Sequence, residues 1–208
     1  AIRLETNRSC NLCCRYCYAE SGQSLPDELP YETLESVVEQ AAALGARSVV
    51  VIGGGEPTIH PQFRELIARI HGLGMVPTIF TNLLTMDRGL AAFLRRNGAA
   101  VIGKLDSLRP EIQDFLVGRR GTFGRIQRGL KNLMAEGFSE PEDPLRLRLG
   151  VSFVSCRLNL PEIVQIWHFC RQHRIFPNME VLTPTGRARD GMARYCLERD
   201  EIREYKLK

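Results

Sequence analysis

The 208-residue sequence has no apolar run approaching the roughly 20 residues that a membrane-spanning helix requires, so no membrane partner is expected. It shows no secretory signal either, although it opens on Ala1 rather than Met and is compatible with native residues missing at one or both ends. Long runs of one charge are absent too. The 28 basic and 24 acidic residues leave a formal net charge of only +4, and they interleave except near Arg119, Arg120 and Arg187, Arg189. That removes the electrostatic footprint of a nucleic-acid binder and leaves anionic cofactors or substrates open. A disulfide framework is also lacking. Seven cysteines is an odd number, and four of them fall between positions 10 and 17, where neighbours such as Cys13 and Cys14 cannot staple distant elements. With hydrophobic residues at 44% the chain can build one full core, so a single domain over 1–208 needs no staples. Clustered thiols in such a chain point to a metal and a reducing, cytoplasmic setting.

What is present is a steady alternation of short β-rich runs and amphipathic stretches. Strands are predicted at 3–6, 48–52, 76–80, 101–105, 147–154 and 179–182. Helices are predicted at 30–44, 61–73, 88–96, 110–117, 123–136, 161–173 and 197–207, with a proline- and acid-rich loop at 140–144. The run Ser-Val-Val-Val-Ile at 48–52 is apolar throughout, as in a parallel strand covered on both faces. Six β/α repeats with crossovers of suitable length are too few for a closed eight-stranded barrel. They suit an α/β fold, an open partial (β/α)6 TIM-type barrel with parallel strands. Ligands in such folds sit beyond the carboxyl ends of the strands.

Residues 10–17 read Cys-Asn-Leu-Cys-Cys-Arg-Tyr-Cys and contain Cys-x3-Cys-x2-Cys, with Tyr16 just before the last cysteine. Three thiolates on one short loop can hold three irons of a cubane [4Fe–4S] cluster and leave the fourth open to a cofactor or substrate. Cys10 and Cys13 could instead form half of a zinc site, but no second Cys/His pair with zinc spacing follows. His168 and His173 are poor partners on a predicted core helix. A register of Cys10, Cys13 and Cys17 is sterically conceivable, while the position of Tyr16 favours Cys10, Cys14 and Cys17.

The Cys-x3-Cys-x-aromatic-Cys loop after a first strand resembles the signature of the radical S-adenosylmethionine (SAM) superfamily. The resemblance implies that the open iron chelates the amino and carboxylate groups of SAM. It also implies that one-electron reduction yields methionine and a 5′-deoxyadenosyl radical, which takes hydrogen from an organic substrate. Tyr16 matches the aromatic position whose backbone meets the adenine. Cys13 departs from the commonest pattern, in which a basic residue precedes the middle cysteine, and is read as a bystander.

Further segments fall at strand ends. Gly54, Gly55 and Glu56 match the family's Gly-Gly-Glu, which contacts the amino group of SAM; a plain glycine turn is the alternative. Thr81 and Asn82 stand where relatives carry a polar dipeptide, and a turn or cap explains them equally well. Residues 104–107 (Lys-Leu-Asp-Ser) resemble Ser-Leu-Asp-Gly. There Lys104 is expected to reach SAM or an anionic substrate, and Asp106 to meet substrate; the alternative is a solvated lysine and an aspartate cap. These two are the candidate catalytic residues. Ser152 or Ser155 is a candidate partner of SAM. Residues 183–188 (Thr-Pro-Thr-Gly-Arg-Ala) resemble the Pro-x-Gly-Arg-Ala of the molybdenum-cofactor-cyclase and SPASM branches, where the backbone around Leu182 and Thr183 flanks the adenine. Arg187 is open to anchoring an anion or to a salt bridge. Trp167 is expected to pack beside Ile163, Ile166 and Cys170.

The expected partners are therefore SAM, a small-molecule or peptide substrate such as a sugar or nucleoside, and a one-electron donor such as flavodoxin or ferredoxin. A non-catalytic iron–sulfur sensor or electron carrier is the rival reading. The substrate, the reaction outcome and any auxiliary-cluster domain beyond Lys208 do not follow from these residues.

Overall fold

The computed structural model describes residues 1–140, 143 and 146–206. Most of the expected loop at 140–144, and position 207 of the expected last helix, lie outside the described residues.

Six strands, β1 (Ile2–Leu4), β2 (Ser48–Val51), β3 (Val76–Thr81), β4 (Ala100–Lys104), β5 (Leu149–Ser155) and β6 (Phe176–Val181), form one parallel sheet in the order of the chain. The sheet curls into a half-barrel, the partial (β/α)6 architecture expected. Helices α1 (Tyr31–Ala43), α2 (Phe63–Gly72), α3 (Arg88–Arg96), α4 (Pro110–Val117), α5 (Phe123–Ala135) and α6 (Ile163–Gln172) form the crossovers, and α7 (Arg199–Lys206) follows β6. Among the described residues no helix is long and apolar enough to cross a membrane.

Each crossover helix buries one stripe. In α1 this is Leu34, Val38 and Ala41; in α2 it is Phe63, Leu66, Ile67 and Ile70. These spacings of three and four residues put the apolar side chains over the sheet. Strand β5, enclosed on both faces, is buried at every position. On α6, Ile163, Ile166 and Cys170 are buried as expected, but Trp167 is 44% exposed, because its position turns away from that stripe.

The carboxyl ends of the strands are fastened by buried polar groups. The Glu162 carboxylate accepts hydrogen bonds from the Ser107 hydroxyl (2.9 Å), the Leu108 N–H (2.6 Å) and Arg109 Nε (2.8 Å). Asn159 Nδ2 donates to the carbonyls of Asp106 (2.7 Å) and Val154 (2.9 Å). Together they tie the loop after β4 to the loop after β5. A small second core of Leu116, Val154, Cys156, Leu182, Ala188 and Met192 lies there, with Tyr16 packed against it.

Candidate functional site

The cysteine loop leaves β1 and runs across the top of the half-barrel. Its backbone is satisfied by distant elements, as buried polar groups require. The N–H groups of Cys13 and Arg15 donate to the carbonyls of Val117 (3.3 Å) and Leu116 (2.9 Å), which the end of α4 leaves without helical partners. Arg119 Nη1 donates to the Asn11 carbonyl (2.9 Å). On the opposite side Gly55 N–H donates to the Asn7 carbonyl (2.6 Å) and Glu56 N–H to that of Ser9 (2.8 Å). This contact explains Gly55: a Cβ there would run into the Ser9 carbonyl. The pair of glycines thus seats the cysteine loop itself.

The segment after β6 holds the same loop. Arg187 Nη1 and Nη2 donate to the carbonyls of Cys14 (2.8 Å) and Ser21 (2.6 Å), and its N–H to that of Cys17 (3.0 Å). Gly186, at φ +54, lies against the carbonyls of Cys17 and Tyr18, where a side chain would collide. Among the described residues Arg187 forms no ion pair, its two Nη atoms being taken up by carbonyls. Its planar fork grips main-chain oxygens.

A cavity of about 240 Å³ opens at the carboxyl ends of the strands. Cys10, Cys14 and Cys17 border it, whereas Cys13 is exposed and lines a separate cleft with Arg15 and Gly118. The cavity also collects Tyr16, Gly54, Gly55, Glu56, Thr81, Asn82, Lys104, Ser152, Leu182 and Thr183. Of the residues weighed from the sequence, Asp106 and Ser155 lie behind its wall at 0% and 1% exposure.

Asp106, expected at the mouth, serves as a buried hub. Its Oδ2 accepts the Tyr16 hydroxyl (2.7 Å), and its Oδ1 accepts the Val154 N–H (2.9 Å) and lies 3.4 Å from Lys104 Nζ. Lys104 Nζ also sits 4.7 Å from the centre of the Tyr16 ring. Burial pulls the Lys104 ammonium down, but Asp106, Cys14 and Glu180 outweigh it and leave it above the usual lysine value. Burial, followed by Asp106, pushes the Tyr16 hydroxyl well up.

Glu56 is buried and joins β2 to β3. Oε1 accepts the Thr58 N–H (3.2 Å) and the hydroxyls of Thr58 (2.6 Å) and Thr81 (2.7 Å), while among the described residues Oε2 accepts only the Asn82 N–H (2.7 Å). Burial raises its carboxyl, and these bonds only partly offset it. One lone pair of Oε2 remains for a donor in the cavity. Asn82 Nδ2 meets Asn11 Oδ1 (2.6 Å) and Cys10 Sγ (4.0 Å), so Thr81 and Asn82 serve the loop as well as bordering the cavity.

The donor set fits an iron–sulfur cluster: three thiols border one space, and a fourth cysteine faces elsewhere. Among the described residues, no group of three or more His, Cys, Asp or Glu side chains is arranged to hold a single metal ion. Ligands of three separate irons stand further apart than ligands of one ion. Burial raises the Cys10 thiol and pushes that of Cys14 up to about 12, so deprotonation must accompany metal binding.

Three polar residues of the cavity escaped the sequence reading. Ser21 donates to the Gly54 carbonyl and lies 3.6 Å from Cys17 Sγ. Tyr18 borders the mouth, and Glu180 projects from β6. Their signals were a serine four residues beyond the last loop cysteine and a carboxylate near the carboxyl end of a strand.

The profile of the Radical SAM superfamily matches residues 4–142. The family uses a [4Fe–4S] cluster and SAM. Fe-coproporphyrin III synthase of Methanosarcina barkeri is 31% identical over 170 residues, covering 81% of this chain and 40% of the synthase. A probable GTP 3′,8-cyclase of Methanothermobacter marburgensis is 25% identical over 197 residues, covering 94% of this chain and 62% of the cyclase. The chain thus spans about half the length of these curated relatives. In fold it is similar to Streptococcus suis SuiB bound to S-adenosylmethionine, with a TM-score of 0.77, 18% identity and coverage of 99% of this chain and 45% of SuiB. SuiB has also been crystallised with its precursor peptide SuiA.

Proposed function

The chain belongs to the radical SAM superfamily, and on that premise we propose that it is the core domain of an enzyme that cleaves SAM reductively and removes hydrogen from an organic substrate. When bound, the cluster and SAM supply the electron and the 5′-deoxyadenosyl radical of that reaction. Cys10, Cys14 and Cys17 would hold the cluster. Arg187, Arg119 and the end of α4 hold their loop in place. The free acceptor of Glu56 suits the amino group of SAM, and Lys104, its charge balanced by Asp106, suits an oxygen of SAM. Tyr16, Leu182 and Thr183 supply a wall for the adenine, and Ser152 a further polar contact. Asp106 acts through Lys104 and Tyr16 as a positioning residue, since it is buried behind both. A flavodoxin- or ferredoxin-like donor in a reducing cytoplasm would supply the electron.

The observation that carries this reading is the placement of three thiols around one cavity with the fourth turned outward. The substrate is a small metabolite or a peptide. Relatives support both, since one is named for a cyclase acting on GTP and SuiB takes a peptide. The test is anaerobic reconstitution of the wild type, Cys13→Ala and Cys14→Ala, followed by iron and sulfide analysis and treatment with SAM and dithionite. Wild type and Cys13→Ala should hold about four irons and form 5′-deoxyadenosine, while Cys14→Ala should lose the cluster. A bound zinc, or full iron content in Cys14→Ala, would overturn the assignment. A cluster that never cleaves SAM would leave a sensor or electron carrier.

A further inference from the structure

Four charged side chains border the cavity: Glu56, Lys104, Glu180 and Arg187. Three are engaged internally. Glu56 binds Thr58, Thr81 and Asn82; Lys104 pairs with Asp106; Arg187 grips the cysteine loop. Glu180 differs. Among the described residues it forms no ion pair, and its side chain accepts one long bond, from Asn178 Nδ2 at 3.2 Å. Asn178 Nδ2 also lies 3.3 Å from Ser152 Oγ. Register places Lys104, Ser152 and Asn178 side by side on β4, β5 and β6, with Glu180 beside Val154 two residues further along. One edge of the cavity is therefore a polar row, and the carboxylate at its end is held through a single oxygen. The other oxygen accepts no bond among the described residues, and the side chain is exposed to solvent at the cavity rim. The rest of this part of the lining is apolar, with Ile52, Phe80 and Ile102 on β2, β3 and β4 or at their ends.

We infer that Glu180 is the anchor of a substrate subsite for a protonated amine whose hydrocarbon body lies against Ile52, Phe80 and Ile102. Lys104 lies within electrostatic reach of Glu180 but is already paired with Asp106 at 3.4 Å, so the Glu180 carboxylate, exposed at the rim of a partly apolar cavity, favours an ammonium group over an anionic or purely apolar ligand. An amino acid side chain or an aliphatic amine matches the pattern; a substrate anchored through a carboxylate does not. The inference rests on the radical SAM reading for the cavity being the reaction chamber.

The test uses the reconstituted holoenzyme with S-adenosylhomocysteine, which lacks the cleavable sulfonium, and three probes of equal length: n-hexylammonium, 1-hexanol and hexanoate. Broadening of probe proton resonances by the paramagnetic reduced cluster reports binding beside it. Hexylammonium should bind at least tenfold more tightly than the other two. Glu180→Gln should remove that preference, Glu180→Asp should retain part of it, and Glu180→Lys should shift it towards hexanoate. Equal binding of all three probes, or an undiminished preference in Glu180→Gln, would overturn the subsite. So would a tenfold loss of SAM affinity in Glu180→Gln, which would assign the carboxylate to the cofactor. SAM cleavage by the wild type is measured separately, so failure of the radical SAM reading shows as absent cleavage and failure of the subsite as absent selectivity.

Discussion

Asp106 holds a tyrosine hydroxyl, a backbone N–H and a lysine at full burial. Replacing it with Asn keeps the shape but removes the carboxylate that pairs with Lys104 at 3.4 Å. Breaking a buried pair in this way costs about 3 kcal/mol, so urea unfolding of Asp106→Asn should show a clearly lower midpoint with little change in slope. The thiols differ in the same physical terms. Cys14 is pushed up to about 12, so roughly one part in ten thousand is thiolate at pH 8, whereas Cys13 is exposed. Iodoacetamide should therefore modify Cys13 before Cys14 in metal-free protein, as peptide mass mapping would show; the reverse order would contradict the burial. The cysteine spacing and the strand-end motifs were legible because residue types at fixed separations carry them. The hub role of Asp106 and the presence of Glu180 in the cavity were not, because both depend on residues brought together from distant strands.

Among the elements, helix boundaries were the most legible. Residues 88–96 and 110–117 were predicted as they stand, because Asp87 and Pro110 mark the starts; Asp87 accepts the Leu90 N–H at 2.7 Å. Strand β6 was placed at 179–182 but begins at Phe176. Its exposed edge carries Pro177 and little apolar alternation, the pattern that weakens a strand signal. The short 3₁₀ turns at Pro57–Ile59 and Leu160–Glu162 were absorbed into the predicted approaches to α2 and α6 or passed over. The start of α5 was also placed correctly, although its cap comes from α4. Asp114 accepts the N–H groups of Gly121, Thr122 and Phe123 and the Thr122 hydroxyl. Partial burial pushes its carboxyl up, but these bonds outweigh it and hold the group below its usual value. As pH falls the unfolded chain takes up this proton first, so the contribution to stability is full above about pH 4 and drains away below it. Asp114→Ala should cost about 1–2 kcal/mol near neutral pH and flatten the acid limb of a stability–pH curve.

At the scale of the whole molecule, among the described residues the sheet begins at β1 and ends at β6 without closing. Across its top, Arg187 joins the last loop to the first. Lysine has no planar fork and cannot hold both carbonyls alike. Arg187→Lys should speed the removal of iron by a chelator at least threefold in anaerobic protein, with faster hydrogen exchange in residues 14–22, and Arg187→Ala should do more. An unchanged rate in both variants would show that the other ties suffice.

That joint also sets a timetable for biogenesis. Arg187 follows Cys14 by 173 positions, and a ribosome adding about 5–20 residues per second needs roughly 10 to 35 s to make that stretch. The cysteines leave the exit tunnel before Arg187 is made, and their cradle stays unfinished until the sixth unit has folded back over them. Until then the loop lacks the three bonds that Arg187 makes to the carbonyls of Cys14, Cys17 and Ser21.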